Sequence, residues 1–276
     1  MIKMYMEIFS REKIQFLADV YLSESYNEFC NRAIQTHKNK FLLFNQIQSE
    51  YNNPKIVFCY IHKVLGLYEK LDYFKNDFIL ITAEEDTRIT EDLYKKIADH
   101  PKIIKWYSQN LCFTHEKIIP IPIGIRDEEW GGNINFFTEI MNINIPKRKK
   151  MYFNFIKETN PTKRNECYNK LCNYYEFLPL IKYEDNLIRL AEHEFCITPE
   201  GNGVDTHRLC ESWYLKVVPI VLENDFILTI KKFTNLPMII LKDWDELITL
   251  NLDYNDYKDQ FKYDKYLDFN YYRNNI

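Results

Sequence analysis

Glycine is scarce in this chain, with six in 276 residues. Long apolar runs are missing too. No stretch reaches 18 apolar residues, so no transmembrane helix is expected. The opening MIKMYMEIFSREK carries an apolar segment too short and too interrupted for a signal peptide, so a cytoplasmic location is expected, in a bacterial cell or a virus's host. A basic excess is also missing: Lys and Arg number 36 against 40 Asp and Glu, for a net charge of −4. That is the reverse of a nucleic-acid footprint, and no nucleic-acid partner is expected. Paired cysteines are not indicated. There are seven, an odd number, and most follow an apolar residue, as in Phe29-Cys30, Phe58-Cys59, Leu111-Cys112, Phe195-Cys196 and Leu209-Cys210. They read as reduced, buried small hydrophobes. Cys167 and Cys172, five apart on an expected helix, have poor zinc-site spacing.

What is present describes a folded α/β chain. Hydrophobic residues make up 46% and charged residues 28%, outside the range of disordered chains. Aromatics reach 16%, enough to fill large cores or to offer sugar-stacking surfaces. Apolar, β-rich runs at 55–61, 77–82, 102–107, 117–125, 151–156, 194–198, 217–222 and 236–241 read as strands. Helical patterns occupy 11–31, 90–99, 162–175, 184–193, 206–215 and 243–250. Continuous apolar strands separated by helices predict parallel sheets covered on both faces. The stretch NINIPKRKK at 142–150 combines a proline, a basic cluster and no apolar periodicity. It divides the chain into an amino-terminal α/β domain, 1–145, and a carboxyl-terminal α/β domain, 146–276. Two Rossmann-like domains facing a cleft are expected, with ligand beyond the carboxyl ends of strands. The tyrosine-rich tail from Leu252 reads as a helix packed against the body.

Two of the six glycines lie two residues apart in FCITPEGNGVDTHRLCESWYLKVVPIVL, residues 195–222. FCIT reads as a strand, PEGNGVD as a turn and THRLCESWYL as a helix. Gly201 and Gly203 permit positive φ and leave no side chain between backbone and ligand. Asp205 or Thr206 is placed to cap the helix, whose first amides attract phosphate. Arg208 adds a permanent cation in the first turn, and Glu211, one turn deeper, can accept a ribose diol. A capped helix with an Arg208–Glu211 surface pair is the plainer alternative. The stretch ends without Gly-Lys-Ser/Thr, so it is no P-loop, and it lacks the third glycine of the dinucleotide fingerprint.

PEGNGVDTHRLCESWYLKVVPIVL resembles the carboxyl-domain signature of exostosin-type glycosyltransferases: Pro-x-Gly, a short polar loop, Arg, Glu on the same helix, a small turn and a Pro-Val/Ile strand. Pro199, Gly201, Asp205, Arg208, Glu211, Pro219 and Ile220 match it. The family places a glycine-containing turn before the last strand, where this chain has Leu215-Lys216-Val217-Val218. MYFNFIKETNPTKR, 151–164, resembles the element opening that domain and implies a donor-phosphate role for Arg164. FILITAEED, HPKIIKWYSQN and IPIPIGI are similar to the amino-domain layout. Together the matches cover about residues 77 to 245. The resemblance implies a GT-B arrangement, a nucleotide-sugar donor held by Arg164, Gly201, Asn202, Gly203, Asp205, Thr206, Arg208 and Glu211, and a glycan or other hydroxyl acceptor. A UDP-sugar is expected ahead of a GDP-sugar, with no cofactor and no metal.

Transfer needs a held donor, a stabilised leaving diphosphate and a base on the acceptor hydroxyl. Glu84, Glu85 and Asp86 follow an apolar strand, and Asp86 is the base expected; His115 is a second candidate. The same trio supports an alternative, a metal-dependent GT-A-type transferase using Glu84 and Asp86. Another is a non-catalytic glycan-binding protein whose Trp106, Trp130 and Trp213 stack on sugars. The Glu-x7-Glu spacing of many retaining enzymes is absent, because position 203 is glycine, which points to inversion.

Overall fold

The structure is a computed structural model that describes residues 6–23, 40–47, 54–143 and 145–276. Among the described residues ten strands form two sheets. β1 (Val20–Ser23), β2 (Phe41–Leu43), β3 (Ile56–Tyr60), β4 (Phe78–Ala83), β5 (Ile103–Ser108) and β6 (Ile118–Pro120) form a six-stranded sheet in the order β2-β1-β3-β4-β5-β6. β7 (Lys149–Tyr152), β8 (His193–Ile197), β9 (Val218–Leu222) and β10 (Ile239–Leu241) form a four-stranded sheet in the order β10-β9-β8-β7. Every pairing within the two sheets is parallel. The chain is α/β with two parallel sheets, as its continuous apolar strands predict, and each of the eight expected strands overlaps one of β3–β10.

Both sheets are covered on both faces. In β3, Val57 and Cys59 pack with α2 (Val64–Tyr68) and α3 (Glu91–Asp99), while Phe58 and Tyr60 face the cluster of α1 (Arg11–Phe16). In β8, Phe195 and Ile197 pack with α5 (Pro161–Leu171) and Trp244, beside α9 (Glu246–Thr249). Cys196 faces the other way, toward α4 (Ile134–Asn142), α6 (Tyr183–Ala191), α7 (His207–Tyr214) and α8 (Asp225–Ile230). The two-residue alternation of a strand thus delivers apolar side chains to both layers.

Three expectations are corrected. The helix expected at 11–31 stops at Phe16 and gives way to β1; residues 24–31 lie outside the described residues. β-Branched and aromatic residues at Val20 and Tyr21 fit a pleated surface better than a helix. The strand expected at 117–125 ends at Pro120, because β6 is an edge strand and Pro120 and Pro122 lack amides. The tail forms short turns until α10 (Phe269–Asn275). That helix rejoins the first sheet: Phe269 and Tyr272 pack with Phe9, Phe58 and Tyr107, and the Tyr107 hydroxyl donates to the carbonyl of Asn275 at 3.0 Å. The 145/146 boundary therefore separates the two sheets, but the end of the 146–276 segment packs on the first.

The turn before β9, where a glycine was expected by resemblance, holds Lys216 at φ +55°. The left-handed backbone is kept without the residue that adopts it freely, at a cost of about 1 kcal/mol. Its carbonyl accepts the Tyr254 hydroxyl at 2.6 Å. Lys216→Gly should raise stability by up to about 0.5 kcal/mol, what remains of that cost after the entropy of the freer unfolded chain is subtracted. Urea unfolding checks this, and a variant less stable than the parent refutes it.

Candidate active site

The carboxyl ends of β4, β6, β7 and β8 open onto one cavity of about 650 Å³. All nine residues expected at the site line it: Asp86, Arg164, Gly201, Asn202, Gly203, Asp205, Thr206, Arg208 and Glu211, with Glu84 and Glu85. His115 does not. Its Nε2 pairs with Asp99 at 2.9 Å, away from the cavity. Trp106 and Trp213 are core residues, whereas Trp130 stands 61% exposed at the cavity's edge.

The glycine loop joins β8 to α7. Neither Gly201 nor Gly203 has positive φ, which corrects the conformational reading of the pair. Close approach explains them instead. A Cβ on Gly203 would lie 2.8 Å from Asp86 Oδ1 and 3.3 Å from Asp86 Cα, and one on Gly201 would lie 3.1 Å from Arg164 Nη2. Asn160 holds the same loop, donating from Nδ2 to the Gly201 carbonyl at 2.7 Å while its Oδ1 caps α5. Thr206 is the N-cap residue of α7, yet no side chain caps that helix, so its first amides are not taken by a cap.

Asp205 does not point its carboxylate at the helix alone. Oδ2 accepts the amide of Ile123 at 2.6 Å, and its own amide donates to Asn110 Oδ1 at 3.2 Å. Oδ1 is buried with no partner among the described residues. Burial pushes the Asp205 pKa up to about 7, against the amides of Ile123 and Thr206 and the charge of Arg11.

The charged floor follows. Glu211 is buried; its Oε1 accepts the Tyr183 hydroxyl at 2.8 Å and its Oε2 accepts Arg208 Nε at 3.3 Å. Burial and the Glu211 carboxylate push the Tyr183 pKa far up, so the phenol remains a donor. The Arg208 guanidinium lies 4.9 Å from the centre of the Tyr152 ring, and its buried Nη1 has no acceptor among the described residues. Arg164 projects from the first turn of α5. Carbonyls of Glu200 and Ile156 accept its Nε and Nη1 at 2.9 and 2.7 Å, and it forms no ion pair among the described residues. Burial, then the nearby Arg208, lower its pKa to about 10, so it stays charged at neutral pH.

The first sheet contributes the opposite wall. Arg11 donates from Nε to Asp127 Oδ2 at 2.9 Å, its Nη2 also pairs with Asp127, and its Nη1 lies 3.4 Å from Glu84. Glu85 pairs with His62 at 2.9 Å, and Asp86 is exposed beside Gly203. Among the described residues no group of three or more His, Cys, Asp and Glu side chains is arranged to hold a metal ion. Arg11, Arg126, Tyr183, Asn186 and His207 line the cavity, and Asp127 pairs with Arg11, but none of them was assigned a role from sequence. His207 alone carried a signal, standing next to Arg208 in the glycine stretch. No protein-family model matches the chain, and no curated protein matches it.

Asp205 predicts a pH dependence. Its folded pKa, about 7, lies above the ordinary carboxylate value near 4, so between these values the folded state binds more protons than the unfolded. Stability should therefore fall as pH rises from 4 to 7 and level off above, by a few kcal/mol in order of magnitude. Asp205→Asn, which keeps an acceptor for the Ile123 amide, should flatten that decline. Urea midpoints at pH 5 and pH 8 measure it; the same decline in parent and variant refutes it.

Proposed function

We propose that this chain is a metal-independent glycosyltransferase of the exostosin type, moving a sugar from a nucleoside-diphosphate donor to a hydroxyl acceptor across a GT-B-like cleft. One observation carries the reading. Arg164 and Arg208 face a single cavity, Arg164 forms no ion pair among the described residues, and Arg208, paired with Glu211, keeps a buried Nη1 without an acceptor among them. Two cations beside the uncapped start of α7 suit a diphosphate, whose oxygens would take the spare N–H groups. The cavity volume lies in the range of small-molecule sites.

The chemistry follows from those positions. Arg164 and Arg208 neutralise the diphosphate as it leaves, gaining strength as charge develops on the bridging oxygen. Glu211 accepts from Tyr183 and Arg208 and, with about four lone-pair sites, has capacity left for a ribose diol. The close packing of Gly203 against Asp86 brings the donor loop against the acceptor wall. A UDP-sugar is the donor proposed ahead of a GDP-sugar. The exposure of Trp130 at the cavity's edge favours a second reading, a glycan-binding protein that performs no transfer. Release of UDP from a UDP-sugar separates the two.

Arg164→Ala should weaken UDP binding by about 1.5–3 kcal/mol, the worth of hydrogen bonds to a charged group, or roughly ten- to 150-fold. The variant should fold, because Arg164 leans on carbonyls and its loss strands no carboxylate. Calorimetric titration with UDP measures this, and unchanged affinity removes Arg164 from the site. Turnover should also persist in EDTA, because the two arginines occupy the role of a cation. Loss in EDTA with recovery in manganese would pass that role to a metal held by Glu84 and Asp86.

A further inference from the structure

We propose that the base of this reaction is His207, whose Nε2 takes the acceptor hydroxyl's proton as that oxygen joins the anomeric carbon; the inference rests on the transferase reading. His207 is the first residue of α7 and lines the cavity. Its Nδ1 lies 3.0 Å from the carbonyl oxygen of Gly124. A carbonyl only accepts, so Nδ1 carries the proton of the neutral ring and Nε2 is left with its lone pair.

The orienting carbonyl is itself held. Gly124 sits at φ +76°, and a Cβ there would lie 2.5 Å from the Phe9 carbonyl oxygen, so the chain can take this path only with glycine. Residues 207 and 208 point about 100° apart around the helix. His207 thus turns to the chain beyond β6 while Arg208 turns to Glu211 and Tyr152. The acceptor side and the diphosphate side are served by consecutive residues.

The surroundings favour the neutral ring. Burial lowers the His207 pKa first and Arg11 of α1 lowers it further. Glu211 on its own helix, Asp127 from the turn after β6 and the Gly124 carbonyl act in the opposite sense, and the net shift stays downward. The positive end of α7 adds to the penalty on an imidazolium. Asp86, the base expected from sequence, is exposed. Asp205 is committed to the Ile123 amide.

In the step, the acceptor O–H bond breaks and its proton passes to Nε2. The acceptor oxygen bonds the anomeric carbon while the bond from that carbon to the diphosphate oxygen breaks. The electron pair leaves with UDP, and one displacement inverts the centre. Water can stand for the acceptor, so the test needs no identified glycan.

His207→Asn keeps a donor where Nδ1 stands but has no Nε2. It should bind UDP within about twofold of parent. UDP release from UDP-glucose, UDP-galactose or UDP-N-acetylglucosamine should slow by about 10²- to 10⁴-fold, the usual share of a general base. The ascending limb of the kcat/KM pH profile should vanish with it. A second measurement uses the unaltered protein: the imidazole ¹⁵N spectrum should place the His207 proton on Nδ1, and the Nε2–H tautomer overturns the proposal whatever the variant does. A parent that binds no UDP overturns the donor reading itself. A parent that binds UDP but releases it from these sugars no faster than His207→Asn sinks His207 alone.

Discussion

Asp205 holds a carboxylate out of water at the foot of the glycine loop, and the cavity takes its shape from what that carboxylate accepts. A buried carboxylate is costly unless hydrogen-bonded, by several kcal/mol. Here one oxygen takes the amide of Ile123, a residue 82 positions away, while the Asp205 amide goes to Asn110. These bonds join the chain beyond β5 and β6 to the loop beyond β8. Gly203 can then lie against Asp86, and His207 against Gly124. The exposed Arg88–Glu200 pair at 2.9 Å ties the chain beyond β4 to the same loop but is screened by water, so it contributes less. The position of the loop is set by the buried contacts.

Charge is the second constraint. The loop and α7 side supplies two guanidinium groups, Arg164 and Arg208, and two buried carboxylates, Asp205 and Glu211, and Arg208 weakens the hold of Arg164 on its proton. The guanidinium groups also rest against carbonyl oxygens and ring faces: Glu200 and Ile156 carbonyls with Phe155 for Arg164, and Tyr152 for Arg208. Such partners orient a cation without neutralising it. The first-sheet wall differs, because Arg11 is matched there by Asp127 and Glu84. Arg164, without an ion pair among the described residues, lies on the side of the loop and α7, which supports placing the diphosphate there.

Much of this was legible in the sequence, for local reasons. The eight strands found were runs of apolar residues that only a twice-covered sheet can bury, and the glycine stretch held its residues within one strand, turn and helix. What was missed depended on distance. Nothing in Tyr183 announces that its hydroxyl meets Glu211 across 28 positions. The glycines were read as permitting positive φ and leaving room for a ligand, but the contacts that require them are to a neighbour, Asp86 or Arg164, visible only once two loops meet. The tail was expected as one helix. Its tyrosines fit that pattern, but only Phe269–Asn275 finds an apolar face to cover, and that face belongs to the first sheet. In each case tertiary packing overrode local preference.

Backbone strain traces the same boundary. Besides Lys216, the left-handed residues of the described chain outside the Trp130 turn are Glu84, Asn110 and Gly124, at φ 69°, 54° and 76°. They follow β4, β5 and β6, at the sheet end nearest the glycine loop. Each non-glycine in this region costs about 1 kcal/mol, so the conformations persist only where the surroundings over-determine them. The determinants are present. The Glu84 amide donates to Gln109 Oε1 at 3.2 Å while its carboxylate meets Arg11. Asn110 donates from Nδ2 to the Glu85 carbonyl at 2.6 Å and accepts from the Asp205 amide. Gly124 offers its carbonyl to His207. Three successive strand ends thus bend the same way, and every bend ends in a bond to a cavity residue or to its neighbour. Strain spent at random would not select the one edge where the chemistry is proposed. Its concentration there is what a wall held in place for a ligand requires, and it makes the first sheet an orienting partner to the loop.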